Sequence, residues 1–463
     1  MVIPRTSLGR RDLLRLGGLA ALGAGAVPLL GACGGPAADG DAELQFMYWG
    51  STFEQKAVDR MLGQFTRKSG VRVRPLYTPD EYDVKLNTLI AGGRAPDVGY
   101  VPMAMSYRLA AQGKLVNLFP YLSKYPQLAN QIPGSYLWYG QDRLHGTTTA
   151  NEIELLWYSR SAFADAGVPA PPADAAAAWS WDDLVANAYR LTADHEGRHP
   201  DESGFDAKRV RQFGVSSSIT YGPAWYGFLR GNGADIADEK GTRCLLDTPE
   251  AIEVFQNLQD LVHKHRVGPG PGQLAATGDD PPGTNILLKT KRVAMVVDGH
   301  WSLLDMVDSK VDFGIGVLPK YQEPLTATHV AGASAVFAGG ENVEKAVELF
   351  VFHNDPSYVD LFKQGLWMPQ ERKYYEDQAA IDSWIKNEVH PPEFRTAVVD
   401  YALKHGVPTY GPRLKNLEKI ASEVLTPALQ QIELGERGAG EILRTAAPKI
   451  TALLQGWHHT QEL

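Results

Sequence analysis

The sequence predicts an α/β protein built as two lobes, and three observations point there. Between Leu44 and Gln112, short apolar runs alternate with amphipathic helical stretches, the pattern of a mostly parallel sheet covered on both faces. The alternation resumes after Ser180 with longer helices. About 430 residues lie beyond the N-terminal leader, more than one hydrophobic core usually holds.

Residues 1–32 read as a targeting segment and stand outside the fold. Arg5 and the run Arg10-Arg11-Asp12-Leu13-Leu14-Arg15 precede an apolar stretch from Leu16 to Leu30. The paired arginines look like a twin-arginine export signal, with Gly9 standing where that signal prefers Ser or Thr. Leu30-Gly31-Ala32-Cys33 resembles a bacterial lipobox, which would put a diacylglycerol on the Cys33 thiol and make it the first residue after cleavage. An uncleaved membrane anchor is the weaker reading. The apolar run is shorter than the ~20 residues that cross a bilayer, and it is rich in Gly and Ala. Several acyl chains on one cysteine would hold firmly where a single chain holds weakly. The expected location is the outer face of the cytoplasmic membrane, at a cell surface or in a periplasm.

The other cysteine is Cys244, so with Cys33 lipidated no internal disulfide is expected, and a core this large can do without one. Loss of residues 1–32 removes four arginines and one aspartate, moving the net charge from −9 to −12. That balance argues against nucleic acid and against a basic membrane patch. No later apolar stretch is long enough to span a bilayer.

Residues 33–43 form a tether, small and flexible in composition from Gly34 to Asp41. Leu44 to Trp49 predicts a buried strand. A helix follows, with Ser51 or Thr52 as cap and Val58, Met61, Leu62 and Phe65 on one face. Gly70 ends it, and Val71-Arg72-Val73-Arg74 alternates like a half-exposed strand. Tyr82, Leu86, Leu89 and Ile90 give a second apolar helix face, stopped by Gly92-Gly93. Asp97 to Val101 is a third strand, and Ser106 to Gln112 a helix closed by Gly113.

In the second half Ser180 can cap a helix, with Asp183 answering as its capping-box partner and Leu184, Val185, Ala188 and Leu191 as the buried stripe. Asp247-Thr248-Pro249-Glu250 opens another, with Ile252, Phe255, Leu258 and Val262 as its expected buried face. Two more helices follow Asn342 and Leu414. There is no internal repeat, and the only low-complexity tract is Ala173–Ala178.

Five segments, in order, resemble the extracellular solute-binding proteins of the maltose-binding type, the lobed receptors of ABC sugar importers. Ala91-Gly92-Gly93-Arg94-Ala95-Pro96-Asp97-Val98 looks like that family's G-x-x-P-D turn, with Gln112-Gly113-Lys114-Leu115-Val116 at the family's spacing. Leu156-Trp157-Tyr158-Ser159-Arg160, with Phe163, Gly167 and Trp181, resembles a second element, although the family usually has Asn at the Ser159 position. Lys291 to Met295 with Gly299-His300-Trp301 is similar to a third, and Phe313 to Pro319 to a fourth. Glu344 to His353 looks like a helix of the family. The likeness covers nearly all of residues 44–400.

The resemblance implies a type II periplasmic-binding-protein-like fold, with three hinge crossings and a ligand cleft between the lobes. By position the crossings fall near Thr147–Asn151, Tyr321–Thr328 and Gln370. The first lobe would be 44–148 plus 326–370, and the second 152–322 plus 371–463. The function implied is capture of a carbohydrate by lobe closure and its delivery to ABC permease subunits in the membrane, by a monomer that needs no cofactor and is not an enzyme.

A sugar offers hydroxyls at its ring edge and weakly polar C–H faces, so a site for it needs aromatic plates and carboxylates, amides or backbone groups. The 10 Trp and 19 Tyr would suit one. Trp49, ahead of Gly50 and Ser51 where a helix opens, lies where the family has its first binding loop, with a core role as the alternative. Tyr100 and Met103 follow on the same rim. Glu152 matches a ligand-binding carboxylate of the family, with a hinge salt bridge as the alternative. Tyr221 and Trp225 sit in a turn where the family has aromatic contacts. Trp301 matches its stacking tryptophan, with Asp298 beside it as a hydroxyl acceptor. Gly332 and Ser334 offer free backbone amides, and Trp367 stands near the third crossing.

His195-Glu196-Gly197-Arg198-His199 fits the H-E-x-x-H pattern of zinc proteases, but Gly197 lies inside it and Pro200 follows at once, so a surface loop is expected and no metal site. No G-x-S-x-G, phosphate-cradling glycine loop or clustered Cys/His set is present. Two further readings stay open. One is an exported glycan-active enzyme, which would also pair aromatics with carboxylates. The other is the same receptor binding a polyol, a glycerophosphate or another non-sugar, although no basic cluster accompanies the candidate residues.

Overall fold

Residues 43–274, 282–328, 332–357, 360–411 and 413–459 are described, in a computed structural model. The export leader, Cys33 and nearly all of the tether lie outside the described residues.

The first half follows the predicted alternation: β1 (Glu43–Tyr48), α1 (Thr52–Ser69), β2 (Arg72–Tyr77), α2 (Tyr82–Ala91), β3 (Val98–Val101) and α3 (Met103–Ala111). Ser51 caps α1 by accepting a hydrogen bond from the Glu54 amide. Gly70 ends α1 at φ 74°, a left-handed conformation that a side chain would strain. β4 (Tyr136–Gly140) and β5 (Arg143–Thr148) form a hairpin, and β6 (Glu154–Ser159) begins the second half.

There α4 (Trp181–Leu191) carries the full capping box of Ser180 and Asp183. β7 (Ala193–Asp194), β8 (Val210–Ser216), α5 (Gly222–Gly231) and α6 (Pro249–His263) follow. Next come β9 (Val293–Gly299), α7 (Ser302–Asp308), β10 (Phe313–Gly316), β11 (Thr326–Thr328), β12 (Ala333–Val336), α8 (Val343–His353) and β13 (Gly406–Pro408). The buried face of α6 is not the expected one. Ala251, Val254, Phe255, Leu258 and Leu261 are buried, whereas Ile252 and Val262 are only partly covered. The true stripe includes a small alanine, and that draws the face one position round the helix.

Two mixed sheets organise the molecule. The first has the order β2-β1-β3-β12-β5-β4 and the second β10-β6-β9-β8-β7. A mostly parallel sheet is therefore not what forms. β1 pairs in parallel with β2 and β3, and β8 with β9, but every other pairing in these two sheets is antiparallel. The cause is connectivity. A strand that arrives from the other sheet, as β6 and β12 do, enters at the end where the parallel strands leave and so runs against them.

The chain passes between the sheets three times: β5 to β6, β10 to β12, and the run from the first core at Trp367 to the second half at Tyr374. These passages touch one another. Asn151 bridges Met368, Ile153 bridges Thr328, and the Gln370 amide donates to the carbonyl and hydroxyl of Thr148.

The first sheet packs its apolar residues into one core with Phe65, Leu86 and Phe350. The second is covered on both faces. Leu156, Tyr158 and Val297 belong to one core, and Leu155, Trp157 and Val296 to another. Burial on both sides explains why Leu155-Leu156-Trp157-Tyr158 is apolar without alternation.

Candidate ligand-binding cleft

A cavity of about 380 Å³ opens where β1, β3 and β9 end and where β6 and β12 begin. Ligand sites of α/β folds gather at such carboxyl ends of parallel strands.

One wall grows out of β1 and β3. Trp49 leaves β1 half-buried, edge-on to Tyr82 (centroids 4.7 Å apart, 87°) and to Tyr100 (5.0 Å, 67°). A side chain at Gly332 would run into the six-membered ring of Trp49, so that glycine lets the indole lie against the backbone. The Tyr82 hydroxyl donates to the carbonyls of Met47 (3.1 Å) and Tyr100 (2.7 Å), fixing the two strand ends relative to each other. Ser51 holds the start of α1 and thereby sets Glu54 in its first turn. A helix N-terminus favours a carboxylate, but burial outweighs it here. Removal from water pushes the Glu54 carboxyl up to about 8, the nearby Asp305 adds to the rise, and the Tyr100 hydroxyl at 3.4 Å offsets part of it.

The opposite wall carries Glu152, Tyr221, Trp301 and Asp305. Trp301 follows β9, and its ring occupies the space that a side chain at Gly299 would need. Tyr221 stands edge-on to it, with centroids 6.2 Å apart at 85°. Trp367 and Leu366 close the third side, Trp367 resting against His353 (4.7 Å) and Tyr100 (6.1 Å). Thr149 binds the Gly332 carbonyl through its amide (2.8 Å) and its hydroxyl (3.0 Å).

The electrostatics are one-sided. Glu152 is 4% exposed, and its carboxyl has no hydrogen-bond partner among the described residues. Burial raises it well above the usual carboxylate range, with Glu54 and Asp298 adding to the rise. Glu154 is fully buried with both oxygens unpartnered and is raised in the same way. Burial also raises Asp298 and Asp305, and hydroxyl donors offset this in part, from Ser302 and Thr284 to Asp298 and from Ser51 to Asp305. No Lys, Arg or His lines the cavity among the described residues.

Of the residues expected to bind ligand, Trp49, Ser51, Tyr100, Glu152, Tyr221, Trp301, Gly332 and Trp367 meet at this cavity. Four do not line it. Trp225 is fully buried in the core, stacked on Tyr410 and edge-on to Phe255, because the expected turn is the helix α5, with Pro223 in its first turn. Asp298 turns back on its own strand end, accepting from the Gly299 amide and from Thr284 and Ser302. Ser334 is buried within β12, opposite Tyr100 and Thr147. Met103 opens α3 and packs near Gly411.

Glu54, Asp305, Thr149, Gly50 and Leu366 line the cavity without having been singled out. Glu54 had a signal. A Ser cap with Glu three residues on is the spacing of a capping box, which sets that carboxyl in the first turn of α1. The H-E-x-x-H stretch is a turn. Gly197 has φ 82°, the Asp194 carboxylate gathers the amides of Glu196 and Arg198, and His199 bonds the Thr192 carbonyl, so the two histidines share no helix face. Among the described residues no three His, Cys, Asp or Glu side chains are disposed to hold a metal ion.

Two lobes around a cleft of aromatic plates and buried carboxylates define a solute receptor rather than a scaffold or a nucleic-acid binder. The chain belongs to the bacterial extracellular solute-binding proteins, whose family model matches residues 46–358. It is 24% identical over 440 residues to the sn-glycerol-3-phosphate-binding periplasmic protein UgpB of Brucella abortus, covering 89% of this chain and 94% of that one. In structure it is similar to an ABC substrate-binding protein of Listeria monocytogenes in complex with cycloalternan (TM-score 0.74, 21% identity, 89% of this chain and 98% of that one). It is also similar to an ABC transporter solute-binding protein of Thermotoga lettingae bound with alpha-D-tagatose (TM-score 0.73, 19% identity, 89% and 100%). These likenesses give the type II two-lobed fold of the maltose-binding proteins.

Proposed function

We propose that the protein captures a carbohydrate outside the cytoplasm and hands it to the permease of an ABC-type importer. The observation that carries this is Trp49 and Trp301, each seated against a glycine, with the carboxyls of Glu54, Glu152 and Asp305 in the same cavity. Indoles take the C–H faces of a sugar, and carboxyls take its hydroxyls. Trp49, Ser51, Tyr100, Glu152, Tyr221, Trp301, Gly332 and Trp367 are the proposed contacts, joined by Glu54, Thr149 and Asp305. The protein acts as a monomer, tethered through lipid on Cys33, and binds without turning its ligand over.

The proposed lobes keep the sequence-derived limits, 44–148 plus 326–370 and 152–322 plus 371–463, with one adjustment. Thr326–Thr328 goes with the second lobe, since β11 pairs with β13 and Ala327 packs in that core. Ligand bridging the lobes adds affinity only to the closed form, and the permease reads that shape.

The relative that binds sn-glycerol-3-phosphate raises a phosphate ligand as a second reading. The acidic cavity, with no cation among its described lining residues, speaks against it. Thermal unfolding against a panel of mono- and oligosaccharides, polyols, amino acids and glycerophosphates separates these. A ligand at about 100 times its Kd stabilises the fold by ~2.7 kcal/mol, a readable shift of the midpoint. The account expects a shift with one sugar series. A shift with glycerophosphates alone contradicts it.

A further inference from the structure

We infer that the carbohydrate taken by this cleft carries a protonated amino group, so that the specific ligand is an amino sugar or a glycoside of one. The inference rests on the carbohydrate reading above and deepens it.

A neutral sugar offers a hydroxyl donor at each free ring position but no charge, and each carboxylate buried for it must be stabilised by the protein or by the ligand. This cavity is rich in acid. Glu54, Glu152 and Asp305 line it, and Glu154 and Asp298 stand close enough behind to feel their charges. They come from four separate pieces of chain: α1, the approach to and start of β6, the end of β9, and α7.

Among the described residues no cation neutralises them. The other titratable groups among the described residues that feel their charges are Tyr48, Tyr77, Tyr100, Tyr221 and Asp308, none of which is a cation. Of the described histidines, His300, next to Trp301, and His353, against Trp367, are fully buried, and burial pulls each down to about 3, so both stay neutral. Glu152 is the sharpest case. It is 4% exposed at the cavity and has no hydrogen-bond partner among the described residues.

An ammonium group supplies what is missing. It offers three donors and a unit charge to carboxyls that have no cation beside them among the described residues. The faces of Trp49, Trp301 and Tyr221 around it favour a cation as well as a C–H surface. Its charge would let buried carboxyls ionise that otherwise hold protons, so binding should expel a proton.

Titration calorimetry of the protein at about pH 6, where the amine is charged in solution, reads both effects when run in two buffers of different ionisation enthalpy. The probes are the free-amine disaccharide of glucosamine, its N-acetylated form, cellobiose, and putrescine as an amine that is no sugar. The expected result is binding of the free-amine disaccharide at least about tenfold tighter than either neutral sugar, with release of about one proton. Glu152→Gln, isosteric with the protonated acid, should fold normally and lose both the preference and the proton.

Equal binding of the neutral sugars with no proton release overturns this inference and leaves the carbohydrate receptor standing. Binding of putrescine with no sugar bound overturns the carbohydrate reading and this inference with it. Failure of the free-amine disaccharide to bind overturns this inference alone when a neutral sugar does bind.

Discussion

The Glu54 carboxylate accepts a hydrogen bond from the Tyr100 hydroxyl at 3.4 Å, joining the first turn of α1 to the end of β3 beneath the cleft. Among the described residues this is the one hydrogen bond that the Glu54 carboxyl accepts, and it does not offset burial. Burial raises the carboxyl from 4.5 to about 8. An acid raised in the folded state binds more protons there than when unfolded. Its stabilising effect is fully present below the unfolded value and is lost as pH rises through the folded one. The empty protein should therefore lose thermal stability from about pH 4.5 to about pH 8, by about 1.4 kcal/mol per pH unit for each carboxyl titrating in that window. Melting midpoints across the range check this, and Glu54→Gln should flatten the slope. A slope of opposite sign contradicts it.

Gly299→Ala should weaken ligand binding more than it weakens the fold. The added methyl would occupy the space of the Trp301 ring, which must then swing away from Tyr221. The expected loss is about tenfold in affinity or more, roughly 1.4 kcal/mol, measured by titration with the ligand that the panel identifies. An unchanged affinity removes Trp301 from the proposed contacts.

The C-terminal segment should hold α3. Tyr107 stacks on His458 with centroids 3.8 Å apart at 15°, and Arg108 lies 3.4 Å from Glu418. The ion pair is partly exposed and contributes little, while the stack contributes about 0.5–1.5 kcal/mol. Because α3 packs in the first core and Leu414 in the second, His458→Ala should shift the protein toward an open form. Solution scattering should then show a larger radius of gyration, together with weaker apparent binding and an unaltered cavity.

Cys244 should be silent to thiol reagents until the protein unfolds. It is 1% exposed, and burial pushes its thiol up to about 11, so little thiolate forms near neutral pH. Reaction with an aromatic disulfide reagent in native buffer, compared with denaturant, measures this directly.

What the sequence revealed of the cleft followed physical locality. Ser180 with Asp183, Ser51 before α1 and Gly70 after it are short-range devices, and each appears where the local spacing calls for it. Trp49 and Trp301 could be read because each leaves a strand through a tight turn. Trp225 misled because the same glycines and proline that suggest a turn also begin a helix, whose apolar stripe at Trp225, Phe228 and Leu229 faces the core. Asp298 misled because a strand-end carboxylate can serve its own backbone as readily as a ligand. Asp305 and Thr149 became lining residues only through contacts between segments far apart in the chain, which spacing does not encode. The mixed sheets escaped for the same reason, since strand direction is set by where the chain re-enters.

The central claim is that this chain binds a sugar and keeps it. Equilibrium dialysis of the protein against the carbohydrate panel, with mass analysis of the ligand recovered after denaturation, tests it most directly. The account predicts one molecule of a single sugar series bound per chain, recovered chemically intact, and lost in Trp301→Ala. Recovery of cleaved or altered sugar, or retention of a non-carbohydrate solute in its place, would contradict it.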